Sequence, residues 1–249
     1  MSGPSTSSPP ILETRGLTRS FGGIRAVDGV DLQVHAGEAV GIIGPNGAGK
    51  TTLFNLVAGS LQPSSGQILL RGRDITAWRA DRRCRAGLSR TFQVTLPFND
   101  MTVSENVMVG ALARGESLVT ARRLALEKLD LVGLSQKAAR PASELSTGQR
   151  KRLELARALS TDAAILLLDE VTGGVDQASI PGLVEVVQRV RACGVTLVVI
   201  EHNMGVIQEL APRLVFMHQG AKIADGPSAT VATREDVRAL YLGGQHAAA

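Results

Sequence analysis

The stretch Gly44-Pro45-Asn46-Gly47-Ala48-Gly49-Lys50-Thr51, followed by Thr52, fits the pattern G-x-x-x-x-G-K-[ST]. Three glycines in six residues let a backbone turn tightly and aim successive N–H groups inward. A helix expected from Thr51 to Ala58 adds the positive end of its dipole at the same place. Lys50 is expected to reach the β- and γ-phosphates and the Thr51 hydroxyl to ligate Mg²⁺, so the expected ligand is a nucleoside triphosphate with its metal. Hydrolysis of a phosphoanhydride also needs a positioned water and a metal held from both sides. Asp169 can hold the metal's shell, and Glu170, on the other side of the strand's pleat, is the natural general base. His202 is placed to contact the γ-phosphate, and Gln93 to reach metal or water by its amide. A lone His or Gln is usually structural; as a set beyond the strand ends of one sheet, these residues describe a reaction.

The elements that must position them follow from periodicity. Val40-Gly41-Ile42-Ile43 reads as the strand before the phosphate loop. Ile165 to Leu168 and Val195 to Ile200 are continuous apolar runs, as expected for strands buried on both faces of a parallel sheet. Ile11 to Leu17 and the alternating Val27 to Val34 predict a small antiparallel layer ahead of the loop, and Gln67 to Gly72 and Leu88 to Phe92 predict two further strands. From about 94 to 160 the pattern is helical, with helices through about Ala113 and over Thr120 to Val132, and reads as an inserted subdomain. That insert ends in Leu145-Ser146-Thr147-Gly148-Gln149, where Ser146 is an N-cap candidate and the helix start a second possible anion site. The basic residues after it, Arg150-Lys151-Arg152, read on spacing alone as a solvated face. A helix over Ala178 to Ala192, short strands at Leu214 to His218 and Lys222 to Ala224, and a helix through about Leu242 close an α/β domain.

Composition sets outer limits. With 44% hydrophobic and 20% charged residues in 249, the chain is ordinary for a globular protein able to bury a sizeable core. No apolar run nears the roughly 18 residues a membrane-spanning helix requires. Residues 1–10 are Ser- and Pro-rich and read as a disordered tail without the plan of a signal peptide, which leads us to expect a cytosolic protein; 243–249 reads as a frayed end. Cys84 and Cys193 match no metal or redox spacing and are expected to be free thiols. A net charge of +4 says little about partners on a chain of this length.

Taken together, these motifs resemble the ATP-binding cassette (ABC) ATPases over about residues 11 to 242. Gly44 to Thr52 matches the Walker A loop, Gln93 the Q-loop, Leu145 to Gln149 the signature, Asp169 and Glu170 the Walker B pair, Asp176 the D-loop and His202 the switch histidine. Phe21 matches the aromatic that stacks on adenine. The resemblance implies a RecA-like P-loop core with an antiparallel β-subdomain and an inserted helical subdomain, and ATP and Mg²⁺ as ligands. It also implies a head-to-tail dimer in which Ser146, Gly148 and Gln149 meet the nucleotide of the opposite subunit. Two positions depart from the family pattern: Thr147 stands where glycine is commonest, and Val171 where proline usually follows the glutamate. Phe21-Gly22-Gly23, Arg90 to Gln93 and Tyr241-Leu242-Gly243 look most like the ATPase subunits of branched-chain amino acid importers and their urea and aromatic-acid relatives. Such a subunit would lie on the inner face of the cell membrane, bind permease subunits and a second ABC ATPase, and depend indirectly on a substrate-binding protein. The competing resemblances are the lipopolysaccharide-export ATPase, which shares a similar tail, and the non-transport cassettes that act on ribosomes or DNA. The latter usually carry two cassettes per chain, so no nucleic-acid partner is expected.

Overall fold

The computed structural model describes residues 9–91 and 97–246. In chain order the elements are β1 (Leu12–Phe21), β2 (Ile24–Val34), β3 (Ala39–Ile43), α1 (Lys50–Ala58), β4 (Ser65–Leu70), β5 (Arg73–Asp74) and α2 (Ala80–Arg85). There follow β6 (Leu88–Arg90), α3 (Val103–Leu112), α4 (Leu118–Leu131), α5 (Thr147–Leu159), β7 (Ile165–Asp169), α6 (Ile180–Ala192) and β8 (Thr196–Ile200). The last are α7 (Met204–Leu210), β9 (Arg213–His218), β10 (Ala221–Pro227), α8 (Ser228–Thr233) and α9 (Glu235–His246). The expected strand over Leu88 to Phe92 is described only to Arg90, and α9 runs on to His246 rather than stopping near Leu242.

The chain divides into two compact units, Met1–Arg83 with His202–Ala249, and Cys84–Glu201. In the first, an antiparallel sheet of order β2-β1-β4-β5 accompanies the run β10-β9-β3, in which β3 and β9 are parallel. Every residue of β3 is buried, and α7 packs so closely that a Cβ on Gly41 would lie 2.7 Å from Ile207 Cγ1. Arg213 on β9 ties the layers together. Its guanidinium donates to both Asp225 carboxylate oxygens on β10, at 2.7 and 2.9 Å, to Glu38 at 3.0 Å ahead of β3, and to the Gln33 carbonyl at 2.9 Å in β2. Burial alone would push the Asp225 carboxyl up, but the hydrogen bonds from Arg213 and Lys222 outweigh it and hold the pKa below its ordinary value.

The second unit carries β8-β7-β6, all parallel, with β7 and β8 wholly buried, as their unbroken Leu, Ile and Val runs predict. Helix α5 packs against β6, and α3, α4 and α6 pack on α5. On α6, Leu183, Val184, Val186, Val187 and Val190 form one buried face at helical spacing. The helix starts are locally determined: Thr102 and Glu105 form a capping box on α3, and Ser117 caps α4. Asn106 is fully buried, and it earns its place by joining the carbonyls of Phe98 and Thr102 and the N–H of Phe98 at 2.9–3.0 Å.

Candidate nucleotide-binding and hydrolysis site

In the first unit the phosphate loop leaves β3 at Gly44 and enters α1 at Lys50. Two of its glycines are obligatory. At Gly44 (φ 152°) a Cβ would meet the Met217 carbonyl oxygen at 2.2 Å, and at Gly49 (φ 97°) the Ala26 carbonyl oxygen at 2.1 Å. The loop is thus pressed between β9 and β2, with no room for a side chain at either of these positions. Pro45, Asn46, Gly47 and Ala48 make the turn, closed by the Ala48 N–H donating to the Pro45 carbonyl at 3.2 Å. Lys50 is buried; its ammonium donates to the carbonyls of Gly44 at 2.7 Å and Pro45 at 3.0 Å, which sets it inside the loop's curve. Thr51 is exposed and Thr52 half-exposed in the first turn of α1, a helix with no acidic residue there to compete for its N-terminus. Phe21 ends β1, 43% exposed, with the Arg19 guanidinium 4.7 Å from its ring centre. His202 is exposed at the start of the return segment, and its backbone carbonyl accepts a short hydrogen bond from the Tyr241 hydroxyl on α9.

In the second unit Asp169 closes β7, 2% exposed, and accepts a hydrogen bond from Arg90 Nη2 at 2.9 Å. Burial pushes its carboxyl up, and the Arg90 guanidinium offsets part of that rise. Glu170 follows in the left-handed region (φ 50°), an uncommon conformation for a non-glycine residue and a form of backbone strain that functional positions retain. Three contacts hold it there: its N–H donates to the Ile200 carbonyl at 3.0 Å, and its own carbonyl accepts from Gly173 N–H and Lys151 Nζ, both at 3.0 Å. Val171 is buried, so an apolar side chain of its shape serves at that departure from the family pattern. The next residue, Thr172, donates by both N–H and hydroxyl to the buried Glu201 carboxylate, at 2.7 and 2.6 Å, joining the ends of β7 and β8.

Ser146 caps α5 in a full capping box with Gln149, the two reaching each other's N–H groups at 3.4 and 3.1 Å. Thr147 is the first helical residue and keeps a negative φ, so the glycine usual there is not required by the backbone. Gly148 is buried, with Ser179 Cβ and Val175 Cγ1 only 3.4 and 3.6 Å from where its Cβ would be. Asp176 is exposed and accepts from Ser179 N–H at 3.0 Å; those hydrogen bonds hold its pKa below the usual carboxylate value. The start of α5 and the loop from Asp169 to Ser179 therefore form one packed cluster.

The sequence reading is corrected at one point and extended at three. Lys151 is not on a solvated face: it is 4% exposed and reaches the Glu170 carbonyl, because α5 lies against the end of β7 and a four-carbon stem spans the gap. Arg90, Lys151 and Glu201 all support the candidate site, and no motif announced these pairings: Arg90 to Gln93 marks the family resemblance but not the contact of Arg90 with Asp169. Gln93 lies outside the described residues.

Residues 27–173 match the ABC transporter family, and the chain belongs to it: it is an ATP-binding, ATP-hydrolysing subunit of an ABC transporter with the P-loop α/β fold. Among individual proteins it is similar to the high-affinity branched-chain amino acid transport ATP-binding protein BraF of Pseudomonas aeruginosa, at 38% identity over 95% of this chain and 99% of that protein. Among solved structures it resembles MJ1267, an ATP-binding cassette of an ABC transporter in its ADP conformation, with a TM-score of 0.86 and 32% identity over 95% of this chain and 100% of that one. It is also similar to the dimeric structure of MJ0796, a bacterial ABC transporter cassette, with a TM-score of 0.77 and 25% identity over 87% of this chain and 98% of that one. Among the described residues no helix is long and apolar enough to cross a membrane.

Proposed function

We propose that this chain powers the import of branched-chain amino acids, or similar small polar solutes, through a membrane permease. It would lie on the cytoplasmic side of the membrane and act as one of a pair of cassettes, its partner either a second copy or a related ATPase. The observation that carries this reading is the near end-to-end likeness to BraF, joined to a phosphate loop with no room for a side chain at Gly44 or Gly49.

The residues fit ATP with Mg²⁺. Lys50 and the N–H groups of Gly47 to Thr51 would neutralise the phosphates, and Phe21, with its exposed ring, would stack on adenine. Asp169, a hard-oxygen donor at a strand end, and the Thr51 hydroxyl would each be a ligand to Mg²⁺, a cation that takes few protein ligands and completes its shell with phosphate and water. Bound there, Mg²⁺ would spread the charge that develops on the phosphate oxygens. Hydrolysis forms a bond from the water oxygen to the γ-phosphorus and breaks the β–γ bridge. Glu170, held in place by Ile200, Gly173 and Lys151, would take the water's proton. His202 and Gln93 would contact the γ-phosphate and its water. Ser146, Gly148, Gln149 and Asp176 would act on the nucleotide of the opposite cassette, and closing and reopening of the pair would drive the permease.

Two measurements test this. Replacement Glu170→Gln should lower ATPase turnover about 10²–10⁴-fold and leave MgATP-bound dimers on a sizing column; turnover within a few-fold of the parent would remove Glu170 from the proposed role. Affinity purification from detergent-solubilised membranes of the source cells should bring down a polytopic permease and a second ATPase. Recovery of ribosomal proteins or DNA in their place would sink the transport reading.

A further inference from the structure

Residues 71–83 hold five arginines and two aspartates, a net +3 out of the +4 of the whole chain. Four of the five, Arg71, Arg73, Arg79 and Arg82, are exposed, and among the described residues none of the four makes an ion pair. Between them lies the chain's single tryptophan. Trp78 is half-buried and sandwiched, with the Arg82 guanidinium 3.9 Å and the Arg73 guanidinium 4.7 Å from its ring centre. Arg71 sits at the tip of the β4–β5 hairpin with φ 50°, followed by Gly72 at φ 75°, a two-residue turn whose first position normally takes Asn, Asp or Gly.

The fifth arginine makes this patch a rigid platform. Arg83 is fully buried and donates to four carbonyls: Leu56 at 2.6 Å, Val57 at 2.8 Å, Thr76 at 2.8 Å and Trp78 at 3.0 Å. It fastens the segment bearing Trp78 to the end of α1, so the exposed guanidiniums are displayed from a fixed backbone and not from a loose loop.

We propose that this surface, Arg71, Arg73, Arg79 and Arg82 around Trp78, docks onto the anionic headgroups of the membrane's cytoplasmic leaflet. Guanidinium forks match phosphate oxygens, and an aromatic ring with an apolar body and a polar edge suits the headgroup boundary. The permease itself is the poorer fit: short cytoplasmic loops of membrane proteins carry excess Lys and Arg and repel a basic patch, whereas the leaflet between them is negative. The inference rests on the reading that this chain works at that leaflet, but it adds a lipid contact made by the ATPase itself.

The test is sedimentation of the purified full-length chain with vesicles of phosphatidylglycerol mixed equally with phosphatidylcholine, against vesicles of phosphatidylcholine alone. The chain should co-sediment with the anionic vesicles only, and raising salt from about 0.05 to about 0.5 M should release it. The double replacement Arg71→Asn with Arg79→Gln removes two charges, suits the left-handed turn, and leaves the Trp78 sandwich intact. It should weaken vesicle binding about 30-fold while ATPase turnover in solution stays unchanged. Equal binding to neutral vesicles, binding by the double variant as tight as the parent's, tighter binding to duplex DNA, or no binding at all would each overturn the proposal. A chain that co-purifies with a permease yet ignores anionic vesicles would overturn this inference alone and leave the transport reading standing.

Discussion

The two halves of the proposed catalytic set are organised by different means. Around the phosphate loop, geometry is fixed by what is missing: Gly44 and Gly49 have no side chain because carbonyl oxygens of Met217 and Ala26 occupy the space. Around Asp169 and Glu170, geometry is fixed by what reaches in. Arg90 grips a carboxylate 79 residues away in sequence, Lys151 a carbonyl 19 residues away, and Thr172 a carboxylate 29 residues away. A glycine requirement is met by residue type alone and so leaves a motif, even where the crowding carbonyl, as at Met217, is far away in the chain; a side-chain pairing leaves none.

The difference can be broken most sharply at Arg90. Replacement by Met would leave the Asp169 charge buried and unpaired, at a cost of about 3–5 kcal/mol. Pairing Arg90→Met with Asp169→Asn should restore most of it, as read by chemical denaturation of both single variants and the double. Strictly additive losses would show that the pair is not coupled. Gly49→Ala comes next. A methyl 2.1 Å from the Ala26 oxygen in a left-handed conformation should cost on the order of 3 kcal/mol. Unlike Arg90→Met, no second substitution of a side chain should rescue it, since the clash is with backbone; binding of a fluorescent ATP analogue would report the loss.

Smaller effects sharpen the contrast within the first unit, which also has side-chain ties. Tyr241→Phe removes the hydroxyl that donates to the His202 carbonyl, worth about 1 kcal/mol. If that tie positions the histidine, turnover should fall while the affinity for ATP stays unchanged; an effect on affinity alone would contradict it. Acid should loosen the Arg213 network. Because the folded state lowers the Asp225 pKa, its contribution is present above the unfolded value, near 3.9, and is lost as pH falls through the lower, folded one. Thermal scans from pH 6 down to about 3 should show the parent losing stability over that range more steeply than an Asp225→Asn variant.

The same contrast explains what could be read in advance. The phosphate loop, the strand ends at Ile43, Asp169 and Ile200, and the Ser146 cap are legible because each is marked by its own residue types: closely spaced glycines, an unbroken apolar run, a capping hydroxyl. Lys151 was misread, since helical spacing places a residue on a face but not what packs against that face. The left-handed Glu170 left no trace in the sequence either: its strain is maintained by Ile200 and Lys151, both distant in the chain. Residue type suggests the chemistry proposed for the site, while the scaffolding that holds Asp169 and Glu170 is visible only in the fold.

Arg83 bears on the phosphate loop from an unexpected direction. A helix has two electrical poles: the positive one of α1 faces the phosphate loop, and its negative one ends at the carbonyls of Leu56 and Val57. Arg83 supplies the counter-charge for that negative pole. Burial brings its pKa down to about 10, still well charged at neutral pH, and no carboxylate among the described residues forms an ion pair with it. The anion site proposed at one end of α1 and the cation at the other therefore share a single line of peptide dipoles, so in that reading the electrostatics of nucleotide capture extend the full length of the helix.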